Sequence, residues 1–334
     1  MRQRITLHVT ATVAVLSLFS LLIPPTAAPA GADPAVALPF GPELQVAPDV
    51  LAKALACPAT FQGTREPVLF VHGTAGTGEA WSWNYGKTLP PQGYDVCTVT
   101  LPDFARADMQ ISTEYVVYAV REMAGRSGGK VDVVGFSQGP VEPRWAVKWW
   151  PDVQALIDDL VLVAGVVHGF TLTEAFCFDT CIAPFWQMKP NSKFLAALNA
   201  GDKTPGDVSY TSVYTRTDQA VWLAGGGAAD PWTQSAALPG AANIAVQDIC
   251  PGRFVGHFET IYDAAFYAVI IDALAQPGPA EAGRIDRGVC AQAVMPGVDA
   301  AEALSKDMQM ENDFNNRVDD HHVDGEPALA SYAS

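Results

Sequence analysis

The sequence predicts an α/β domain: a mostly parallel central sheet covered by helices on both faces, with a small lid segment. Two observations carry that expectation. Short aliphatic or β-branched runs alternate with helix-length stretches from about residue 68 to 275, the pattern of strands joined by crossover helices. One run, Val131-Asp-Val-Val-Gly-Phe136, leads into Ser137-Gln-Gly139 and so completes Gly-x-Ser-x-Gly. That pattern reads as a strand turning sharply into a helix, with the serine at the apex. The chain of 334 residues allows one large domain or two smaller ones, and no repeat or linker divides it.

Residues 1–32 read as an export signal. Arg2 and Arg4 precede the apolar run Val9–Ile23, and Ala28-Pro-Ala30 or Ala30-Gly-Ala32 offers a small-residue cleavage site. The run is short for a membrane span and no later segment is a better candidate. The expectation is a secreted protein with no stable membrane insertion. Residues 33–305 read as the catalytic domain. Within it a short helix is expected near Asp49–Ala56, a central strand at Val68–Val71 and a second strand at Asp95–Leu101. The loop His72–Gly78 separates the two strands.

Ser112 or Thr113 is expected to cap a helix running to about Gly125, because Tyr115, Val116, Ala119, Val120 and Met123 share one face. The helix after Ser137 holds Trp145, Trp149 and Trp150, with Pro140 and Pro143 near its start, where a missing N–H matters least. Strands follow at Asp159–Val167, Ser209–Thr215 and Asn243–Ile249, and an apolar helix at Phe258–Ala275. Residues 306–334 carry many carboxylates against Lys306 and Arg317 and read as a mobile acidic extension.

Acidic residues number 36 against 20 Lys and Arg, a formal charge of −16. Such a surface repels nucleic acid and anionic membranes and excludes both as partners. The six cysteines, Cys57, Cys97, Cys177, Cys181, Cys250 and Cys290, favour disulfides over zinc in an exported chain. Many connectivities are open, and pairing in sequence order is the simplest. The run Asp319-Asp-His-His-Val-Asp324 matches no standard ligand set, so neither a metal nor a cofactor is expected.

A nucleophilic Ser137 needs a base, and a neutral imidazole is the usual one. In α/β-hydrolases the chain order is Ser, acid, His. That order favours His257, with His168 a weak second; His72 belongs to the first loop, and His8, His321 and His322 lie in the termini. The acid should follow a strand between Ser137 and His257. Asp218 fits and Asp230 is its main competitor. Oxyanion donors are expected from the Gln138 N–H, at a helix N-terminus, and from Thr74 in the loop after the first strand. Phe170, Phe176, Phe178, Ile182, Phe185, Trp186 and Met188 form an apolar group that suggests an acyl-chain pocket beneath a small lid.

Taken together, Val71-His-Gly-Thr-Ala-Gly76, Ser112-Thr-Glu-Tyr-Val116, Phe136-Ser-Gln-Gly139, Trp186-Gln187 with Leu195-Ala-Ala-Leu-Asn199, Tyr214-Thr-Arg-Thr-Asp218 and Phe254-Val-Gly-His257 are more specific than any one motif. Across roughly Cys57 to Cys290 the chain resembles the Candida antarctica lipase B-like family of the α/β-hydrolase superfamily, as a bacterial relative. The resemblance implies Ser137 as nucleophile, Asp218 as acid, His257 as base, Thr74 and Gln138 as oxyanion donors, and disulfides Cys57–Cys97 and Cys250–Cys290. Against the family pattern, Phe136 stands where a tryptophan precedes the serine, Pro140 where a glycine follows Ser-Gln-Gly, and Val166 where an aspartate lines the acyl pocket. The Cys177/Cys181 pair is extra. The expected function is a secreted, monomeric serine carboxylester hydrolase, a lipase acting on fatty-acid esters at an oil–water interface. An esterase, polyester hydrolase or acyltransferase with the same triad is the alternative, and a non-catalytic lipid-binding protein a further one.

Overall fold

A computed structural model describes residues 40–169, 173, 177, 179–222, 235–319 and 321–334. The expected export signal, Phe170, Phe176, Phe178 and Asp230 lie outside them. Seven strands, β1 Leu55–Ala56, β2 Val68–Val71, β3 Val96–Val99, β4 Val131–Phe136, β5 Ile157–Val163, β6 Ser209–Tyr214 and β7 Ala242–Ala245, form one sheet in the order β1-β3-β2-β4-β5-β6-β7. Every pairing is parallel except β1 against β3.

The continuous apolar character of β2 and β4 follows from burial on both faces. Leu69, Val71, Val131, Val133, Leu160 and Leu162 point into one core, which the helices Met109–Ser127 and Val141–Trp149 cover. Their neighbours Val68, Phe70, Val134, Val161 and Val163 point into the other, beneath Ala264–Ala275. The two-residue alternation of a strand thus supplies both layers. Fully burying one such side chain stabilises the fold by roughly 1.5–3 kcal/mol.

Several boundaries differ from the sequence expectation. The cap of Met109–Ser127 is Asp108, whose side chain accepts from the Gln110 N–H. Ser112 and Thr113 lie inside the helix, and their hydroxyls donate back to the Asp108 and Met109 carbonyls. β5 ends at Val163 because Ala164 turns to φ 47°. After four residues, β7 gives way to the short helix Val246–Ile249. The last apolar helix is interrupted: Phe258–Ile261 is a 3₁₀ turn, and Asp263 caps a new helix by accepting from the N–H groups of Ala265 and Phe266.

The acidic C-terminal segment is not a loose extension. Lys306–Arg317 continues a helix that starts at Ala300 under an Asp299 cap. Beyond it, Val323 pairs with Cys181 in an antiparallel bridge, and the Glu326 carboxylate accepts from the Lys193 and Phe194 N–H groups, at the start of helix Lys193–Asn199. Tyr332 lies among Trp145, Trp149 and Trp150 and accepts from the Trp145 indole N–H at 3.1 Å. Acidic composition suggested solvation; apolar residues at helical spacing and two anchoring aromatics, Phe314 and Tyr332, outweigh it.

The cysteines pair as Cys57–Cys97, Cys177–Cys181 and Cys250–Cys290. Among the described residues no helix is long and apolar enough to cross a membrane.

Candidate active site

Ser137 follows β4 directly and is held at φ 61°, a left-handed conformation unusual for a residue with a Cβ. The turn closes through the Gly139 N–H on the Phe136 carbonyl at 2.7 Å and the Ser137 N–H on the Val163 carbonyl at 2.9 Å. Glycine is needed at both flanks. A Cβ on Gly135 would lie 2.5 Å from the backbone of Gly139 and Pro140, and one on Gly139 would strike the Val71 carbonyl.

His257 Nε2 stands 2.9 Å from Ser137 Oγ, and its Nδ1 stands 2.6 Å from Asp218 Oδ2. Asp218 is fully buried and His257 nearly so. With Nδ1–H donating to the carboxylate, Nε2 is left as the acceptor for the serine hydroxyl. The loops that carry the acid and the histidine are tied to each other. Thr217 Oγ1 donates to the Val255 carbonyl and accepts from the Val255 N–H, and the Gln219 side chain accepts from the His257 N–H at 2.8 Å. Gln247 Nε2 bridges Thr215 Oγ1 and the Arg253 carbonyl.

The two other histidines inside the domain are held elsewhere. His168 Nε2 meets the Ala237 carbonyl at 3.0 Å, so the runner-up base is engaged away from the serine. His72 is buried, and burial lowers its pKa to about 4. Its Nε2 accepts from the Leu101 N–H at 2.9 Å and its Nδ1–H donates to the Gly73 carbonyl at 2.8 Å. A neutral imidazole thereby fastens the loop that contains Thr74 to the end of β3.

Thr74 Oγ1 donates to Gln138 Oε1 at 2.6 Å, and Gln138 Nε2 donates to Glu142 Oε1 at 2.7 Å. Sequence reasoning missed Glu142. It is fully buried on the helix that follows the serine, its second oxygen has no hydrogen-bond partner among the described residues, and burial raises its pKa to about 8. No sequence signal marks it, since a glutamate in a first helical turn is ordinary.

A cavity of about 160 Å³ opens beside these groups, lined by Gly73, Thr74, Trp83, Phe136, Phe258 and, from the terminal helix Ala300–Arg317, Met310 and Arg317. Of the four residues expected to shape the substrate pocket, only Phe136 lines it; its ring lies 4.9 Å from the His257 ring. Val166 sits under the serine, its N–H donating to the Ser137 carbonyl, and it belongs to the same core as Phe185. Trp186 faces a separate surface depression with Lys189 and Glu326, and its indole N–H donates to the Val323 carbonyl. Phe185 and Trp186 both contact the terminal segment, Phe185 through Phe314 with ring centroids 6.4 Å apart and Trp186 through Val323.

The roof over the cavity was likewise missed. Arg317 Nη1 donates to the Ala75 carbonyl at 2.6 Å, and its guanidinium lies 4.3 Å over the Phe104 ring. Asp299 with Glu302 three positions on is a capping-box signature that could have announced the helix.

The sequence profile of the family described as Lipase (class 2) matches residues 65–237. Lipase B of Pseudozyma antarctica is 30% identical over 232 residues, which is 68% of this chain and 64% of that protein's own length. The crystal structure of Aspergillus fumigatus lipase B superposes with a TM-score of 0.79 at 28% identity, covering 92% of this chain and 77% of that one. A Bacillus licheniformis lipase in its propeptide form has a TM-score of 0.51 at 18% identity over 68% of this chain and 55% of that one, a likeness of fold alone.

Proposed function

The chain belongs to the lipase (class 2) family, and on that premise we propose that it is a serine carboxylester hydrolase acting on fatty-acid esters. The observation that carries this reading is the continuous hydrogen-bonded line Asp218–His257–Ser137, next to a cavity lined by Thr74 and by Phe136, the residue before the serine.

In this reading Ser137 Oγ attacks the ester carbonyl carbon while His257 Nε2 takes the hydroxyl proton. Asp218 holds the imidazole in its Nδ1–H tautomer and stabilises the imidazolium that forms. The oxyanion of the tetrahedral intermediate accepts from the Gln138 N–H and from Thr74, donors fixed before the reaction begins. His257 returns the proton to the departing alcohol, leaving an acyl-Ser137 ester. Water, deprotonated by the same histidine, then releases the acid. None of these steps calls for a metal or cofactor.

The export-signal pattern of residues 1–32 and the three disulfides support secretion. Work as a monomer at an oil–water interface belongs to the same proposal. One observation favours the esterase alternative. The cavity is small for a long acyl chain and is roofed by a helix pinned through Arg317, which suits short soluble esters. Rates on p-nitrophenyl esters of increasing chain length and on emulsified triglycerides decide between the two. The reading as a whole rests on Ser137→Ala: turnover should vanish while the folded circular-dichroism spectrum persists, and unchanged turnover would sink it.

A further inference from the structure

Three carboxylates converge at the end of the sheet opposite Ser137. Asp132 is the second residue of β4, and Asp158 and Asp159 are the second and third of β5. In a regular strand Asp158 and Asp159 would point to opposite faces. Here the pairing runs Val131 to Ile157 and then Val133 to Leu160, so one residue of β4 faces two of β5. That is a β-bulge, which re-aims side chains, and it brings one oxygen of each carboxylate within 4.8 Å of the others.

Two of the three have little access to water: Asp132 is 2% exposed and Asp159 5%. Among the described residues, Asp159 Oδ1 is buried with no hydrogen-bond partner. The nearby cation, Lys130, is hydrogen-bonded to the outer member, its Nζ lying 3.0 Å from Asp158 Oδ1. An arrangement of this kind is costly with no ion present and favourable around a cation.

We propose that Asp132, Asp158 and Asp159 bind a calcium ion that locks the bulge between β4 and β5. The donors are all carboxylate oxygens, which selects a hard cation. Calcium suits the trio better than magnesium, because two of the three carboxylates are nearly closed to water, whereas Mg²⁺ keeps several of its waters and demands near-ideal octahedral geometry and Ca²⁺ tolerates irregular all-oxygen coordination. Because β4 leads into Ser137, the ion's effect is on the stability of the strand pair that supports the turn, and it takes no part in chemistry. This inference is independent of the esterase reading.

The test uses the full-length protein, stripped with EDTA and dialysed. Calorimetric titration with CaCl₂ should find one site per chain, and the Tm should rise by several degrees in CaCl₂ but not in MgCl₂ at equal ionic strength. Asp159→Asn should lose the calcium-dependent rise. Equal Tm in CaCl₂ and EDTA for the unaltered protein overturns the proposal whether or not the variant folds. A matching response to MgCl₂ overturns it as well, as does an undiminished calcium response in Asp159→Asn.

Discussion

The Thr74 hydroxyl donates a 2.6 Å hydrogen bond to the side-chain oxygen of Gln138, so two groups 64 positions apart in the chain are set relative to one another before any substrate arrives. Preorganisation of this kind gives oxyanion donors their value, because no dipole has to reorient as charge develops. Replacing Thr74 with valine keeps the shape and the backbone N–H and removes only the hydroxyl. The expected outcome is a fall in kcat of about tenfold, the effect of one lost positioning hydrogen bond, with KM little changed, read from steady-state hydrolysis of p-nitrophenyl butyrate.

Glu142 extends the same line. Glu142→Ala leaves Gln138 Nε2 without its acceptor, and kcat should drop about tenfold, the effect of one lost hydrogen bond. Glu142→Gln retains an acceptor oxygen and should restore most of the rate.

The same residue gives a signed pH prediction. Its carboxyl rises from 4.5 to about 8 on folding, so the folded protein binds the extra proton between those values. The stability it contributes is complete below pH 4.5 and is lost as the pH climbs through 8. Denaturant midpoints measured across that window should decline in the parent, and part of that decline should be absent in Glu142→Gln.

Asp218→Asn preserves shape but favours the wrong imidazole tautomer, and kcat should fall by about 10⁴-fold. His168→Ala should leave kcat within a small factor, since its ring is held by the Ala237 carbonyl. Similar losses in both variants would contradict the assignment of His257 as base.

Arg317→Ala removes the donor to the Ala75 carbonyl and the cation over Phe104. The expected result is a lower KM for long-chain esters with little change for acetate esters, as the roof of the cavity loosens. A chain-length series on parent and variant measures it, and parallel profiles would argue against the terminal helix as a barrier.

Cys250–Cys290 closes a loop of 40 residues that begins just before His257. Opening it with a Cys250→Ser, Cys290→Ser pair should lower unfolding stability by about 4 kcal/mol on the chain-entropy account. Urea midpoints report the change.

The sequence by itself determined the strand runs, the turn at Ser137 and the order in which the serine, acid and histidine candidates follow one another. These are local matters: an apolar run bounded by glycines, a two-residue alternation, a sharp turn that tolerates no Cβ at its flanks. Tertiary structure alone decided the rest. The terminal segment becomes a roof because Phe314, Arg317 and Tyr332 find partners far back in the chain, which composition does not encode. Glu142 becomes a buried acceptor only because the surrounding core seals it from water. Asp132 meets Asp158 and Asp159 only because the pairing of β4 with β5 slips by one residue. Burial and register arise from packing between distant segments, and both the pKa of a carboxylate and the reach of a side chain follow from them.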